Sequence, residues 1–319
     1  MASFPQPASL DRDELLKSVS RSFYLSMRFL PPTMRDSIAV GYLAARLSDT
    51  VADAPGLKQT RRLYWLGELE KVASGARGSL GEMGEELSPC LEHAGERALV
   101  EAAGQLPEWL AALPSALRAS VHQVLATILQ GQRWDLEAFH PGLWAACEGG
   151  DDLLRYTYQV AGCVGEFWTE VGYTSMGSRF APLEEQSAMR QHGRCLGQAL
   201  QLINVLRDLG ADLELGRCYL PAEELRAAGW DGTSRPTAEL LKPAFTHWLG
   251  VCRDFLEVSR DYTQKLTDPR VIFCTRLPQI LAEETAALLA DAGIERVLHE
   301  KIKVSRGTVA GAAARAIFF

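Results

Sequence analysis

The stretch LGQALQLINVLRDLGADLELGRCYLP (196–221) decides the fold of this chain. Each residue of an α-helix advances about 100° around the axis, so Gln201, Asn204, Asp208 and Asp212 share a sector of roughly 80°. Leucine, isoleucine and valine fill the complementary sector. The stretch therefore predicts a mostly apolar helix with a polar stripe along one face.

A second helix carries the same pattern. In YLAARLSDTVAD (42–53), the residues Tyr42, Arg46, Asp49 and Asp53 fall within a sector of roughly 60° on the same projection. A single Asp-x-x-x-Asp pair is usually a solvated helix face, on which the like charges cost a few tenths of a kcal/mol. Two such pairs, each beside an arginine on an apolar helix, are harder to explain in that way, because a buried carboxylate cluster needs a compensating cation.

Paired carboxylates suit Mg²⁺, which binds a few carboxylates together with substrate phosphates. The net charge of −7 argues against nucleic acid as a partner, because phosphate backbones need a basic face. An acidic pocket can still hold an anionic diphosphate if Mg²⁺ bridges the two and arginines take the remaining phosphate oxygens. We therefore expect the pairs 49/53 and 208/212 to converge across one apolar cleft.

This arrangement favours one kind of chemistry. Metal ions on a diphosphate make it a better leaving group. Departure of an allylic diphosphate leaves a carbocation, which needs a deep apolar cavity that excludes water. A helical bundle with acidic patches at the mouth of an apolar interior would supply both features.

Helical periodicity dominates the chain of 319 residues, of which 47% are hydrophobic. Apolar residues recur at three-and-four spacing in nine segments: 11–29, 34–54, 58–75, 96–103, 115–133, 151–172, 184–213, 237–266 and 275–292. Strand signals are almost absent, and the Gly- and Glu-rich stretch 75–95 is typical of a connection. We predict an all-α chain that forms a single domain over residues 1–319, with a central apolar cavity.

The sequence also bears on location. The seven cysteines are odd in number and widely spaced, which favours reduced thiols in the cytoplasm. The start MASFPQPASLDRDELL lacks the basic and apolar regions of a signal peptide. No apolar run approaches the roughly 18 residues of a membrane span, although the C-terminal AGAAARAIFF is compatible with a peripheral contact at the inner face of a membrane. The sequence does not indicate an oligomeric state.

Four motifs in order resemble the squalene/phytoene synthase family, the head-to-head prenyl synthases: SRSFYLSMRFLP (20–31), YLAARLSDTVAD (42–53), YTYQVAGCVG (156–165) and LGQALQLINVLRDLGADLELGRCYLP (196–221). The resemblance covers roughly residues 15–60 and 150–225, and 270–307 more loosely. It implies a helical bundle of the isoprenoid synthase type that binds farnesyl diphosphate. It also implies Mg²⁺ as cofactor, with Mn²⁺ as a substitute.

The resemblance implies roles for individual residues. It assigns the metal to the four aspartates of the two pairs and to Asn204, which Gln201 helps to order. It assigns diphosphate contacts to three arginines: Arg46, Arg207 and Arg217. Further substrate contacts would come from Tyr42 and from the SRSF segment, which comprises Ser20, Arg21, Ser22 and Phe23. Tyr156 would help remove the proton that is lost as a cyclopropane forms, although it could equally be a packed tyrosine with a bonded hydroxyl.

Two downstream segments resemble squalene synthases in particular. IFCTRLPQILAEETAALL (272–289) is one residue longer than the expected pattern after FC, and KIKVSRG (301–307) is an approximate match. There the resemblance implies NADPH, with Lys301, Lys303 and Arg306 meeting its phosphate; no GxGxxG follows a strand, which excludes a Rossmann site. The expected activity is a farnesyl-diphosphate farnesyltransferase that makes squalene through presqualene diphosphate.

Other functions remain open at this point. The nearest is a dehydrosqualene or phytoene synthase, which omits the reduction; product analysis with and without NADPH separates it from a squalene synthase. A non-catalytic assembly or interaction relative would be expected to have lost the metal carboxylates, and all four aspartates are present. A helical protein that binds prenyl diphosphates without turnover is the third, and incubation with labelled farnesyl diphosphate tests it.

Overall fold

The computed structural model describes residues 12–20, 22–140 and 143–317, with the backbone alone at residues 22, 23 and 25. These residues are almost entirely helical, as predicted. They form two compact units, Met1–Gln132 and Arg133–Phe319, and the boundary falls within one helix. The expected single domain over 1–319 stays a prediction.

In the first unit the described helices are α1 (Arg12–Ser20), α2 (Ser22–Phe29), α3 (Pro32–Asp53), α4 (Gln59–Ala73), α5 (Met83–Leu87), α6 (Ala94–Glu101), α7 (Leu106–Ala111) and the start of α8 (Ser115–Ala138). The helix α5 lies within the stretch 75–95, which the sequence indicated only as a connection. The long helix α3 begins with Pro32, whose fixed φ suits a first helical position. It ends before Pro55, because the residue that precedes a proline is disfavoured in helical conformation.

The second unit contains the end of α8 and the helices α9 (Gly150–Thr157), α10 (Cys163–Met176), α11 (Gln186–Arg207), α12 (Leu209–Glu214), α13 (Ala222–Ala227), α14 (Ala238–Lys265), α15 (Pro269–His299) and α16 (Arg306–Ile317). The helix α11 packs against α10, α14 and α15. Its approach to α10 depends on glycine, since a Cβ on Gly165 would lie 1.8 Å from the carbonyl oxygen of Gly193. Gly165 is therefore a packing residue. Gly162 of the same motif (156–165) is also one, because a Cβ there would lie 2.8 Å from Cγ of Gln198.

Within the described helices, α15 is interrupted at Gly293, which has φ 66° and ψ 172°. Two further departures from α-geometry lie near the motifs. Tyr158–Gly162 forms one π-helical turn between α9 and α10, and such turns are frequent at functional sites. The predicted helix 184–213 is broken at Asp208, which has φ −94° and ψ 6° and separates α11 from α12. The amide of Asp212 still donates to the carbonyl of Asp208 at 3.0 Å, so a helical backbone hydrogen bond spans the break.

Two short strands were not predicted from the sequence. β1 (Ala145–Cys147) and β2 (Arg217–Pro221) pair in parallel, with Ala145 opposite Arg217. Side chains alternate along a strand, so Arg217 and Tyr219 share one face of β2. The strand thus places Arg217 beside a tyrosine that the motifs did not single out.

The apolar C-terminal segment is partly accounted for by packing. The alanines Ala312 and Ala316 of α16 pack on Ile280 of α15. Among the described helices, none combines the length and the apolar character that crossing a membrane requires. The peripheral membrane contact stays a prediction.

Candidate active site

The first acidic pair lies at the C-terminal end of α3. Arg46, one turn earlier, donates from Nη1 to Oδ2 of Asp49 at 2.8 Å and from Nη2 to Oε1 of Glu96 at 2.5 Å. Glu96 comes from α6 and was not recognised in the sequence, because no motif marks it. Asp53 is exposed one turn after Asp49. The arginine predicted to contact diphosphate is therefore held between two carboxylates.

The electrostatics around Asp49 favour an added cation. Burial and the charge of Asp53 raise the pKa of Asp49 to about 6, against the opposing effect of Arg46. Its side chain keeps 47% of its exposure, so water screens part of this effect. The Nε of Arg46 is buried and has no hydrogen-bond partner in the described structure. This group of charges has an unsatisfied donor and a carboxylate that resists ionisation.

The other predicted residues of the first unit lie near the start of the chain. Tyr42 is half-buried, and its hydroxyl donates to the carbonyl of Val19 at 3.3 Å. Ser20 is buried, and its hydroxyl donates to Leu16 of its own helix at 2.5 Å. Arg21 and the side chains of Ser22 and Phe23 lie outside the described residues.

The second acidic pair lies where α11 meets α12. Arg207 donates to Asp208 from both Nε, at 3.0 Å, and Nη2, and the Nζ of Lys301 lies 3.6 Å from Oδ1 of the same carboxylate. Burial alone would raise the pKa of Asp208, but Arg207 and Lys301 outweigh it and lower that pKa. The Asp208 carboxylate is therefore ionised and held between two cations. Asp212 is half-buried one turn later.

The polar stripe that leads to this pair is ordered by hydrogen bonds between its own residues. The Nδ2 of Asn204 donates to Oε1 of Gln201 at 3.3 Å, as expected if Gln201 fixes the amide. The backbone carbonyl of Asn204 accepts a hydrogen bond from the backbone amide of Asp208 at 2.9 Å. The stripe therefore presents the fixed side-chain amide oxygen of Asn204 and the carboxylates of Asp208 and Asp212 from consecutive turns.

A glycine sets the distance between the second pair and Lys301. A Cβ on Gly210 would lie 2.5 Å from the carbonyl oxygen of Leu298, near the C-terminal end of α15. Lys301 follows that end by two residues and so reaches Asp208. Lys303 and Arg306, which share its expected cofactor role, are exposed. The NADPH role of these three residues stays a prediction.

Tyr156 lies among aromatic rings. It is buried at the end of α9, with its ring centroid 5.3 Å from that of Trp134 and 4.9 Å from that of Tyr219. The hydroxyl of Tyr219 donates to Oδ1 of Asp135 at 2.5 Å, and Oδ2 of Asp135 lies 3.7 Å from Nη1 of Arg217. Asp135 and Tyr219 were missed. Recognising 217–221 as a strand would have found Tyr219, which shares a face with Arg217.

The donor set suits a hard divalent cation bound together with phosphate. In the described part of the chain, no cluster of three or more His, Cys, Asp or Glu side chains could hold a metal on its own. Mg²⁺ does not need such a cluster, because it binds through one or two carboxylates, water and substrate phosphates. The paired aspartates and their arginines therefore fit Mg²⁺ carried by a diphosphate. The convergence of the two pairs stays a prediction.

Comparison with known proteins gives the family. The family model described as squalene/phytoene synthase matches residues 16–308. The phytoene synthase of Thermus thermophilus is 30% identical over 238 residues, which are 70% of this chain and 64% of that protein. The phytoene synthase of Mycobacterium tuberculosis is 28% identical over 217 residues, 68% of this chain and 58% of that protein. The matched region thus spans under two thirds of the length of these relatives.

Solved structures give the fold. A ligand complex of TcSQS superposes with a TM-score of 0.76 at 22% identity and covers 96% of this chain and 85% of its own. A dehydrosqualene synthase in complex with a ligand superposes with a TM-score of 0.65 at 21% identity. That match covers 96% of this chain and 93% of the other. The predicted all-α fold of the isoprenoid synthase type is confirmed. The chain belongs to the squalene/phytoene synthase family.

Proposed function

We propose that the chain condenses two prenyl diphosphates head to head in a Mg²⁺-dependent reaction. One observation carries the proposal: in both acidic pairs an arginine guanidinium bonds the first aspartate, Arg46 to Asp49 at 2.8 Å and Arg207 to Asp208 at 3.0 Å. Alternating cations and carboxylates are what a metal–diphosphate needs, because the carboxylates take the metal and the arginines take phosphate oxygens.

Binding would redistribute these charges. Without ligand, each arginine is held by its aspartate. In a complex with a metal–diphosphate, Asp49 and Asp208 would hold the metal, and Arg46 and Arg207 would contact phosphate oxygens. Glu96 also bonds Arg46 and would keep it in place, and Lys301 adds a second cation at Asp208. The bound Mg²⁺ supplies charge neutralisation that makes the diphosphate a better leaving group.

The first half of the reaction follows from this binding. The C1–O bond of one substrate breaks, and the diphosphate leaves with the electron pair. The double bond of the second substrate attacks the resulting allylic cation. Loss of a proton then closes a cyclopropane ring that still carries one diphosphate. Tyr156 is the proposed acceptor or relay of that proton, and burial of its ring among aromatic side chains supports exclusion of water there.

The later steps distinguish two products. Farnesyl diphosphate as substrate, with NADPH delivering a hydride after a second ionisation, gives squalene, as the segments 272–289 and 301–307 suggest. The alternative, which omits the reduction, ends in dehydrosqualene or phytoene. The similarity to curated phytoene synthases supports this alternative. In either case the protein supplies positioning and electrostatics, while any hydride comes from the cofactor.

The proposal is tested with purified protein and Mg²⁺. Farnesyl and geranylgeranyl diphosphate are supplied separately, with and without NADPH, and the hydrocarbons and diphosphates are identified by mass spectrometry. Squalene that appears only with NADPH supports the farnesyltransferase, whereas the same desaturated hydrocarbon under both conditions supports the alternative. Release of prenyl alcohol alone would contradict both.

A further inference from the structure

Tyr156, the proposed proton-transfer residue, is one of four aromatic rings that pack together. Ring centroids are separated by 5.3 Å between Trp134 and Tyr156, 4.9 Å between Tyr156 and Tyr219, 5.0 Å between Tyr219 and Phe139, and 6.0 Å between Phe139 and Trp134. The planes of Tyr156 and Tyr219 differ by only 17°, so these two rings are stacked. The four residues, here the aromatic cluster, form a closed set in which the orientation of each ring depends on two neighbours.

A carboxylate fixes one ring of the aromatic cluster. The Tyr219 hydroxyl donates to Oδ1 of Asp135 at 2.5 Å. Burial, together with the nearby Tyr156 and Asp135, raises the pKa of Tyr219 well above its usual value, so this phenol remains a donor. Asp135 is in turn oriented by Arg217, whose Nη1 lies 3.7 Å from Oδ2. The side chain of Asp135 is only 14% exposed, so its hydrogen bond with Tyr219 is well shielded from water.

The ring of Tyr156 packs against two neighbouring rings. The residue stands at the end of α9, two positions before the π-helical turn Tyr158–Gly162. Its ring contacts those of Trp134 and Tyr219. Stacking on Tyr219 holds its face, and the hydrogen bond to Asp135 prevents Tyr219 from turning away.

Building on the proposed function, we propose that Asp135 and Tyr219 are positioning residues for Tyr156. Asp135 fixes the Tyr219 ring through its hydroxyl, and Tyr219 fixes the Tyr156 ring by stacking. Proton transfer is sensitive to such placement, because a displacement of about 1 Å can reduce a rate roughly 100-fold. Through Asp135, the same pair links the tyrosines to Arg217, an arginine assigned to diphosphate.

The first test compares two buried tyrosines. Tyr219→Phe keeps the stacked ring but removes the hydrogen bond to Asp135. Tyr173→Phe is the matched control: its buried hydroxyl donates to the carbonyl of Pro182 at 2.9 Å, and its ring packs on Phe180. We expect Tyr219→Phe to lower kcat about tenfold with KM changed less than about twofold, and Tyr173→Phe to leave both unchanged. Thermal unfolding is measured on each variant.

Variants of Asp135 provide a second route that does not alter a ring. Asp135→Ala removes the acceptor and should reproduce the loss in kcat. Asp135→Asn retains an oxygen that accepts from the Tyr219 hydroxyl, and it should restore most of kcat. If Tyr219→Phe does not fold, this pair of variants decides the question. If all three variants fail to fold, the role is structural and the inference is overturned.

A double-mutant cycle tests whether Tyr219 acts through Tyr156. Once Tyr156→Phe has removed the phenol, adding Tyr219→Phe should change kcat less than about twofold. Losses that multiply would show that Tyr219 acts independently of Tyr156, and an unchanged kcat in the single variant would show no role at all. Both results overturn the inference while the wild-type enzyme remains active. An inactive wild-type enzyme instead contradicts the proposed function.

Discussion

At the scale of single residues, Arg46 shows how the fold holds the cation that the proposed function assigns to diphosphate. It bonds Asp49 of its own helix and Glu96 of α6, while its Nε stays buried without a partner. Hydrogen bonds to charged groups contribute about 1.5–3 kcal/mol when buried, and partial exposure reduces that amount. Glu96 is 24% exposed, so its contribution should fall below that range.

Replacing Glu96 tests this account. Glu96→Gln should lower the free energy of unfolding in metal-free protein by about 1 kcal/mol, because Arg46 loses a charged acceptor. Glu101→Gln, at an exposed position of the same helix that accepts a hydrogen bond from Ser88, should change it by about 0.5 kcal/mol or less. Denaturant unfolding measures both. Equal effects of the two substitutions would show that the ion pair between Arg46 and Glu96 does not stabilise the fold as proposed.

Asp49 gives a pH-dependent prediction for metal-free protein. Its pKa is raised from 3.8 to about 6, so the folded state binds a proton more readily than the unfolded state between these values. Stability from this group is therefore present at low pH and is lost as pH rises through about 6. Asp49→Asn cannot titrate, so it should gain stability relative to wild type as pH rises from about 4 to 7. Unfolding in EDTA across that range measures the difference.

The control for this titration is Asp254→Asn, which changes the same charge on an exposed site of α14. The pH dependence of stability in Asp49→Asn is compared with that of this variant. If the two curves have the same shape across that range, Asp49 does not carry the proposed charge conflict.

Sequence patterns predicted Asp49, Asp53, Asp208 and Asp212, because helical spacing and residue type suffice to find them. They could not predict Glu96 or Asp135. Neither belongs to an Asp-x-x-x-Asp pair, and only tertiary packing brings each to its arginine. Partners that are distant in sequence leave no local pattern.

At the scale of secondary-structure elements, close approach of α10 and α11 organises the second unit. The pair is possible because Gly165 and Gly193 face each other without side chains. Periodicity predicted α10, α11 and the other long helices of this unit, whereas the short helix α13 and the C-terminal helix α16 were not predicted. The break at Asp208, the π-helical turn and the strands β1 and β2 were not, because they depend on packing and on backbone pairing between distant residues.

This packing predicts unequal effects for two glycines. Gly165→Ala would place a Cβ 1.8 Å from a backbone oxygen, so the helices must separate. We expect a loss of about 3 kcal/mol in unfolding free energy, at the upper end for overpacking. Gly250→Ala in α14 meets nothing within 4 Å and should gain up to about 1 kcal/mol from helix propensity. Urea unfolding compares them, and similar values would contradict the packing.

At the scale of the whole molecule, an acidic chain is expected to bind an acidic ligand. The net charge of −7 opposes diphosphate binding unless a cation accompanies it. Titration calorimetry with inorganic diphosphate should therefore show binding that requires Mg²⁺ and weakens at least tenfold in Asp208→Asn, since a lost metal ligand removes a charged contact. Binding of equal strength in EDTA would contradict the metal bridge.

The most direct test of the central claim is the structure of the product formed from a single prenyl diphosphate. Purified protein is incubated with Mg²⁺ and farnesyl or geranylgeranyl diphosphate, quenched at early times, and examined by mass spectrometry and NMR. We predict a cyclopropyl diphosphate with twice the carbon number of the substrate, or a hydrocarbon derived from it, and neither in Asp49→Asn or Asp208→Asn. A linear, head-to-tail product, or full activity in those variants, would contradict the account.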